Sequence, residues 1–361
     1  MIYRALGLMS GSSLDGLDLV LAEFQSEGQQ WQYRIEAADC FEYTPDWKER
    51  LRLATSLQTR SYLQLHVDYG HYLGQQVNRF IQEKGLEYRV GLIASHGHTT
   101  FHDPANKLTA QLGDGAALAA MTKLPVISDL RAMDVALGGQ GAPIVPIGER
   151  MLFPAYKYFL NIGGIANLSI SADPYLAFDV CPANRVLNAL AETMGHSMDE
   201  YGAFARSGQT QIDLLNSLNA LEYYQRRGPK SLANEYGTDV VLPMLINSGH
   251  SIPDLLSTYC EHIAIQISQS FYAMKPLTSG DMLTTGGGAF NQFLMERIGS
   301  HLQPLGIQPV VPDNDLVQYK EALIMAFIGV LRWRQENTVI ASVTGATSPS
   351  IGGAFWMGQE A

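Results

Sequence analysis

The chain has 361 residues, 46% of them apolar and 16% charged. That is enough for two globular domains with cores of their own, and it excludes a disordered or fibrous class. Its 24 basic and 35 acidic residues give a net charge of -11 without a long single-sign run, so the expected partner is a small molecule, with no nucleic acid and no membrane surface.

The opening segment YRALGLM reads as a buried strand, breaks at SGSSLDG and resumes as LDLVLAEF, which predicts a hairpin over residues 3–24. Only Arg4 is basic before the polar turn at Ser10, so no export signal is indicated. A helix follows over residues 63–85, then the strand VGLIASHGHTTF, a helix around DGAALAAMTKL and the strand PVISDL. YKYFLNI, a Gly-Gly turn and IANLSIS repeat the strand, small turn, strand unit over residues 157–171. The rest alternates again: strand PYLAFDV, helix ANRVLNALAETMG, polar GPKSLANEYG, helix IPDLLSTYCEHIAIQISQSFYAM, strand DMLTT, helix AFNQFLMERIGSHL, strand PVV and helix KEALIMAFIGVLRWRQ. Alternation of this kind predicts an α/β fold with mixed sheets, and two like units suggest two related domains, 1–130 and 131–361. The apolar run EALIMAFIGVLRW is shorter than the about 18 to 20 residues that cross a bilayer and opens with a glutamate. Cys40, Cys181 and Cys260 are widely separated with no CxxC pair, which fits a reducing compartment, and Cys181 is expected to be a small buried hydrophobe.

Phosphate is bound where backbone N–H groups can come close to it, and small residues permit that approach. Gly11, Ser12 and Ser13 supply such a turn in the first hairpin, where Asp15 or Asp18 could hold the Mg²⁺ that accompanies a nucleotide. Taken alone, this run also suits an ordinary hairpin turn. Asn161-Ile162-Gly163-Gly164 forms the corresponding second turn, and Gly286-Gly287-Gly288 lies between a strand and a helix, a place where unpaired N–H groups and the helix dipole favour an anion. No P-loop or dinucleotide fingerprint is present, which argues against those classes.

Asp179 follows the apolar run PYLAF and is expected at the strand's carboxyl end, as a general base or as the cap of the next helix. His96 and His98 are expected on one face of their strand with His102 just beyond. That spacing leaves open a metal-dependent hydrolase beside the preferred role of polar substrate contact. A catalytically dead sugar or nucleotide sensor is a third class, against which Asp179 and the metal carboxylates stand.

Taken in order, GLMSGSSLDGLD, ASHGHTTFH, QLGDGAALA, SDLRAMDVALGGQGAPIVP, NIGGIANLS, FDVCPANRVLN, TTGGGAFNQFLMERI and KEALIMAF resemble the anhydro-N-acetylmuramic acid kinase family over nearly the whole chain. The resemblance implies a two-domain actin-like ATPase (ribonuclease H-like) fold with an inter-domain nucleotide cleft, ATP and Mg²⁺ as cofactors, and a cytoplasmic homodimer. It implies hydrolytic opening of 1,6-anhydro-N-acetylmuramic acid with phosphorylation of O6, in peptidoglycan recycling; a related amino sugar is the alternative substrate. It places the nucleotide on Gly11, Ser12, Ser13, Leu14, Asp15, Gly16, Leu17, Asp18, Asn161, Gly163, Gly164, Gly286, Gly287 and Gly288. It makes Asp179 and Glu321 catalytic, assigns Asp15 and Glu321 to Mg²⁺, and sets His96, His98, Arg131 and Asp134 at the sugar. This chain reads Phe178-Asp179-Val180-Cys181-Pro182-Ala183-Asn184 where the family usually shows FDTGPGN, and has His98 where SHGQT is common.

Overall fold

In chain order the strands are β1 (Ile2–Ser10), β2 (Gly16–Glu27), β3 (Gln30–Glu42), β4 (Leu92–Asp103), β5 (Leu108–Leu112), β6 (Val126–Ser128), β7 (Tyr158–Ile162), β8 (Ile165–Ile170), β9 (Leu176–Pro182), β10 (Gly280–Thr285), β11 (Ile307–Val310) and β12 (Ala354–Trp356). They belong to a computed structural model that describes residues 1–361 except Ser12, Gln29, 227–229, Asn234, 273–277 and 359–361. Contacts gather into two units, Met1–Pro154 with Tyr319–Ala361, and Ala155–Gln318.

In the first unit the sheet runs β12-β6-β4-β1-β2-β3, with β1 antiparallel to β2, β2 antiparallel to β3, and β4 and β6 parallel to their inner neighbours. The second unit repeats this plan as β11-β10-β7-β8-β9, again with a meander of three strands followed by parallel additions on the other side of the first. Within the five strands common to the two sheets only the second opposes the others, and in the first unit β12 and β5 add antiparallel to β6 and β4. A duplicated sheet of this order is the ribonuclease H-like arrangement of actin-like ATPases, so the expected fold class is observed.

The helix Thr59–Lys84 buries Leu65, Tyr69, Leu73, Val77 and Phe80 against Leu6, Leu8, Leu19 and Ile93, a helical spacing that puts one apolar stripe on the sheet. It ends where Gly85 turns left-handed at φ 64°. On the other side, a Cβ at Gly7 would lie 1.9 Å from the carbonyl oxygen of Ala322, so β1 and the helix Asn314–Trp333 meet backbone to backbone. In the second unit, Leu160, Ile162, Leu168, Val186, Leu190, Ile263, Ile267, Phe271 and Ile298 form the core around the helix Ile252–Tyr272. No helix among the described residues is long and apolar enough to cross a membrane.

Two expectations change. The segment QWQYRIEAADCFE, assigned no element from sequence, is β3 at the sheet edge. Its Arg34 and Glu36 sit in an ion-pair network with Arg4, Glu23 and Arg89, charges that blunt an edge strand and hide its period. The compact units also divide elsewhere than at residue 130. β6 pairs with β4, the carboxylate of Asp134 is bonded by Thr344, and the buried Lys320–Glu149 pair at 2.8 Å ties the segment after β6 to the chain's last part.

Candidate active site

The first unit gathers one set of functional side chains at the β1–β2 turn. Gly11 leads into Leu14, which is left-handed at φ 59°, and β2 begins at Gly16, where a Cβ would lie 2.6 Å from Cys40 Sγ and 2.8 Å from the Phe41 carbonyl. Ser12 lies outside the described residues, and Ser13 and Asp15 are exposed. Asp18 is half-buried across from Cys40, whose thiol donates to it. Burial, followed by the like charges of Glu321 and Asp15, pushes the Asp18 carboxyl up to about 6 against the relief of the Cys40 hydrogen bond. Glu321, half-buried on the helix Asn314–Trp333, is also raised by desolvation, with Lys320 and Arg131 opposing the shift and Glu149 adding to it. Asp18 and Glu321 thus form a repelling acidic pair, whereas Asp15 stands in solvent.

Ser10, the last residue of β1, places its Oγ 3.0 Å from His98 Nδ1 and accepts from the Tyr43 hydroxyl at 2.8 Å, which in turn lies 2.5 Å from the Tyr69 hydroxyl. His96 Nδ1 meets the Gly97 carbonyl at 2.9 Å, so the proton sits on Nδ1 and Nε2 accepts from Arg131 Nε at 2.9 Å. Burial, then the Arg131 charge, lowers His96 to about 3, and burial lowers His98 to about 4. Arg131 also donates to the Gly141 carbonyl at 2.5 Å, and burial brings its guanidinium down to about 10 while Glu321 and Asp134 oppose the shift. Asp134 accepts from Gly141 N and Thr344 Oγ1, both at 2.7 Å, so its carboxylate holds the loop that Gly139 and Gly141 form.

The expected face shared by His96 and His98 is interrupted. Gly97 is left-handed at φ 68°, and the β1–β4 register takes one extra residue of β4 between Leu8–Ser95 and Ser10–His98, so the alternation breaks at a bulge. Arg131 occupies one His96 nitrogen and Gly97 the other, and no group of three or more potential ligands is placed to hold a metal among the described residues. The hydrolase reading loses its ligand set.

In the second unit the hairpin β7–β8 turns at Gly163 and Gly164, and the carbonyls of these two residues accept from Asn184 N at 3.0 Å and Ala183 N at 2.8 Å at the start of the helix Asn184–Glu192. Asn184 Nδ2 donates to the Ile162 carbonyl at 3.1 Å, and Thr285 Oγ1 lies 3.5 Å from Asn161 Oδ1. Gly286 is left-handed at φ 82°, and a Cβ there would come within 2.7 Å of Asn161 Oδ1 and 2.8 Å of the Ile162 backbone. The second turn and the triple glycine therefore pack together, as one site requires. The triple glycine does not open directly onto a helix, however. A 3-10 turn over Gly287–Phe290 intervenes, and Asn291 caps the helix Gln292–Leu302 through Leu294 N at 2.9 Å.

Asp179 lies inside β9 rather than at its end, opposite Asn167 beside a register shift between Ala166 and Asn167. It caps no helix, because the residue before Asn184–Glu192 is Ala183 and no side chain bonds there. Its carboxylate accepts from Asn167 Nδ2 on one oxygen and from Leu232 N at 2.7 Å on the other. Burial raises its pKa, and the Leu232 and Asn167 hydrogen bonds oppose the rise. β9 is an edge strand, and the segment around Lys230 covers it by accepting from Asp179 N at 2.9 Å while the Tyr223 hydroxyl donates to the Asp179 carbonyl at 2.8 Å. Asn167, Leu232 and Tyr223, together with Tyr43, Tyr69 and Cys40, carried no sequence signal of their own. Only the pairing of β8 with β9 would have pointed to Asn167.

The family model described as anhydro-N-acetylmuramic acid kinase matches residues 3–358. The anhydro-N-acetylmuramic acid kinase of Vibrio vulnificus strain YJ016 is 31% identical over 357 residues, covering 95% of each chain. That of Pseudomonas paraeruginosa strain DSM 24068 / PA7 is 34% identical over 367 residues, covering 98% of each. Among solved structures, component A of (R)-2-hydroxyglutaryl-CoA dehydratase from Acidaminococcus fermentans covers 90% of this chain and 96% of its own, at 12% identity and a TM-score of 0.47.

Proposed function

From the membership of this chain in the anhydro-N-acetylmuramic acid kinase family, a family of phosphotransferases, we propose that it uses ATP to convert 1,6-anhydro-N-acetylmuramic acid to N-acetylmuramic acid 6-phosphate in the recycling of cell-wall sugar. We place this activity in the cytoplasm and assign it to a homodimer. The observation that carries the reading is a contrast among glycines. Gly16, Gly286 and Gly288 are required by their neighbours, since a Cβ at each would meet atoms at 2.6, 2.7 and 2.2 Å. At Gly11, Gly163, Gly164 and Gly287 the nearest atom to a Cβ would stand at 3.6 to 3.7 Å, ordinary contact, and none of these has a positive φ. Among the described residues nothing crowds a Cβ at these four positions. Glycine there suits a ligand whose oxygens come down onto the backbone, which supports assigning these turns to the triphosphate.

In the reaction, water attacks the anomeric carbon while the Asp179 carboxylate takes its proton. The bond from that carbon to oxygen 6 breaks, and oxygen 6 receives the γ-phosphoryl group as ADP leaves. Burial, which raises Asp179, brings it toward the range useful to a base, and the Asn167 amide fixes the orientation of its carboxylate. Asp18 and Glu321 would hold Mg²⁺, because two mutually repelling carboxylates suit a divalent ion whose other ligands are water and phosphate. The ion supplies charge neutralisation on the triphosphate. His98, kept neutral by burial, can exchange hydrogen bonds with sugar hydroxyls, while His96, Arg131 and Asp134 hold the Gly138–Gly141 loop beside it.

The test is turnover of Mg·ATP with the anhydro sugar in ¹⁸O-water, read by mass spectrometry. The expected product carries one ¹⁸O at carbon 1 and none in the phosphoryl group. ADP release that does not depend on the sugar, or a product without the label, would overturn the reading.

A further inference from the structure

Arg185 is the second residue of the helix Asn184–Glu192, and its backbone amide reaches the Gly164 carbonyl at 3.4 Å. Its side chain lies along the glycine turn: Nε is 3.7 Å, and Nη2 3.9 Å, from where a Cβ of Gly164 would be. Nε is buried without a hydrogen-bond partner among the described residues. Such a state is unusual for arginine. A guanidinium presents five donors and cannot discharge, and placing one of its N–H groups out of water with no acceptor costs free energy that the folded chain here does not recover.

The surroundings say what kind of acceptor is missing. The helix start places partial positive charge beside the arginine. The Gly163 and Gly164 carbonyls are already engaged by Asn184 N and Ala183 N, so they are poorly placed to serve the guanidinium. What remains next to it is a turn at whose glycines a Cβ would meet only ordinary contacts among the described residues. A planar, forked cation beside such a turn matches the paired oxygens of a phosphate.

We infer that Arg185 contacts the phosphate chain of the bound nucleotide, as a binding residue additional to the glycine turns. This rests on the ATP reading given above and adds to it a side-chain cation in the second unit.

The experiment is calorimetric titration of the full chain with Mg²⁺ and a non-hydrolysable ATP analogue, and competition with adenosine, for the wild type, Arg185→Ala and Arg185→Lys. Loss of a charge-assisted, two-pronged contact is expected to weaken the analogue by about 10-fold or more in Arg185→Ala. Adenosine, which has no phosphate, is expected to bind all three proteins alike, and Arg185→Lys is expected to fall between the others because it keeps charge and loses the fork. Analogue affinity unchanged in Arg185→Ala overturns the inference and leaves the kinase reading intact. Equal weakening of adenosine and analogue also overturns it, since that marks a general disturbance of the helix. A wild-type protein that binds no nucleotide overturns both.

Discussion

Replacing Asp179 by asparagine should remove both a base and part of a hydrogen-bond arrangement, and the two effects can be separated. The carboxylate receives one donor on each oxygen, from Asn167 Nδ2 and from Leu232 N at 2.7 Å. An asparagine offers one oxygen and one NH₂, so one of those donors must face another donor. Leaving a partly buried amide unsatisfied costs about 1–3 kcal/mol, which should appear as a lowered denaturation midpoint. The catalytic effect comes on top of this. Loss of a general base costs about 10² in rate or more, near 2.7 kcal/mol of barrier. A protein with an ordinary stability of about 5–15 kcal/mol remains folded after the first loss, so the second is measurable in the native state. The assay is kcat for sugar-dependent ADP release, with circular dichroism to verify folding and analogue binding to verify the nucleotide site. Asn167→Ala supplies the companion test: it removes a bond that favours the charged carboxylate, so the Asp179 pKa should rise further and the acidic limb of the rate profile should move to higher pH. Asp179→Asn with wild-type kcat, or an Asn167→Ala limb that moves to lower pH, would refute the assignment.

The glycine contrast predicts opposite behaviour at two neighbouring turns. Gly286→Ala, strained at φ 82° and 2.7 Å from Asn161 Oδ1, should lose about 1–3 kcal/mol from backbone strain alone, seen in thermal melts. Gly163→Ala meets only ordinary contacts at 3.7 Å, so it should melt like the wild type yet bind ATP more weakly; a Gly163→Ala protein with undiminished ATP affinity would count against the turn. Buried neutral histidines should shape acid unfolding. His262, whose Nδ1 lies 2.7 Å from Asn219 Oδ1, is lowered by burial from 6.5 to about 3, and His96 likewise to about 3. The unfolded chain takes up these protons below pH 6.5 and the native state does not, so their stability is whole above 6.5 and drains as pH falls toward 3. Each contributes a slope of about 1.4 kcal/mol per pH unit in that window. Chemical denaturation between pH 7 and 4.5 should show it, with a shallower slope in His262→Gln.

The glycine and serine turns, the repeat of strand, turn and strand, and the candidate acid were legible because each is local: it depends on residues adjacent in the chain. β3 was not, since Arg34 and Glu36 answer to Glu23 and Arg4 on other strands and Asp39 to Lys84 at the end of the helix Thr59–Lys84, which obscures the alternation. The bulge at Gly97 was also hidden, because one extra residue in β4 is defined only by its register against β1. Asp179 could be singled out from its sequence neighbourhood, but its two hydrogen-bond donors come from Asn167 and Leu232, the latter in a polar stretch with no periodic signal. The pairing of Asp18 with Glu321 has the same origin. It joins residues from opposite ends of the sequence, and only the packing of β1 against the helix Asn314–Trp333 brings them near.

That packing bears on the order of events at the ribosome. β1 is among the first segments to emerge, yet the helix that covers it through Gly7 and Ala322 is translated after the whole of Ala155–Gln318. The first unit therefore waits, with one face of its central strand uncovered, while the second has its entire sequence available beforehand. Nascent chains halted before residue 319 should be open to protease around β1 and protected around β7 and β8, and Asp18 in them would stand without its acidic neighbour.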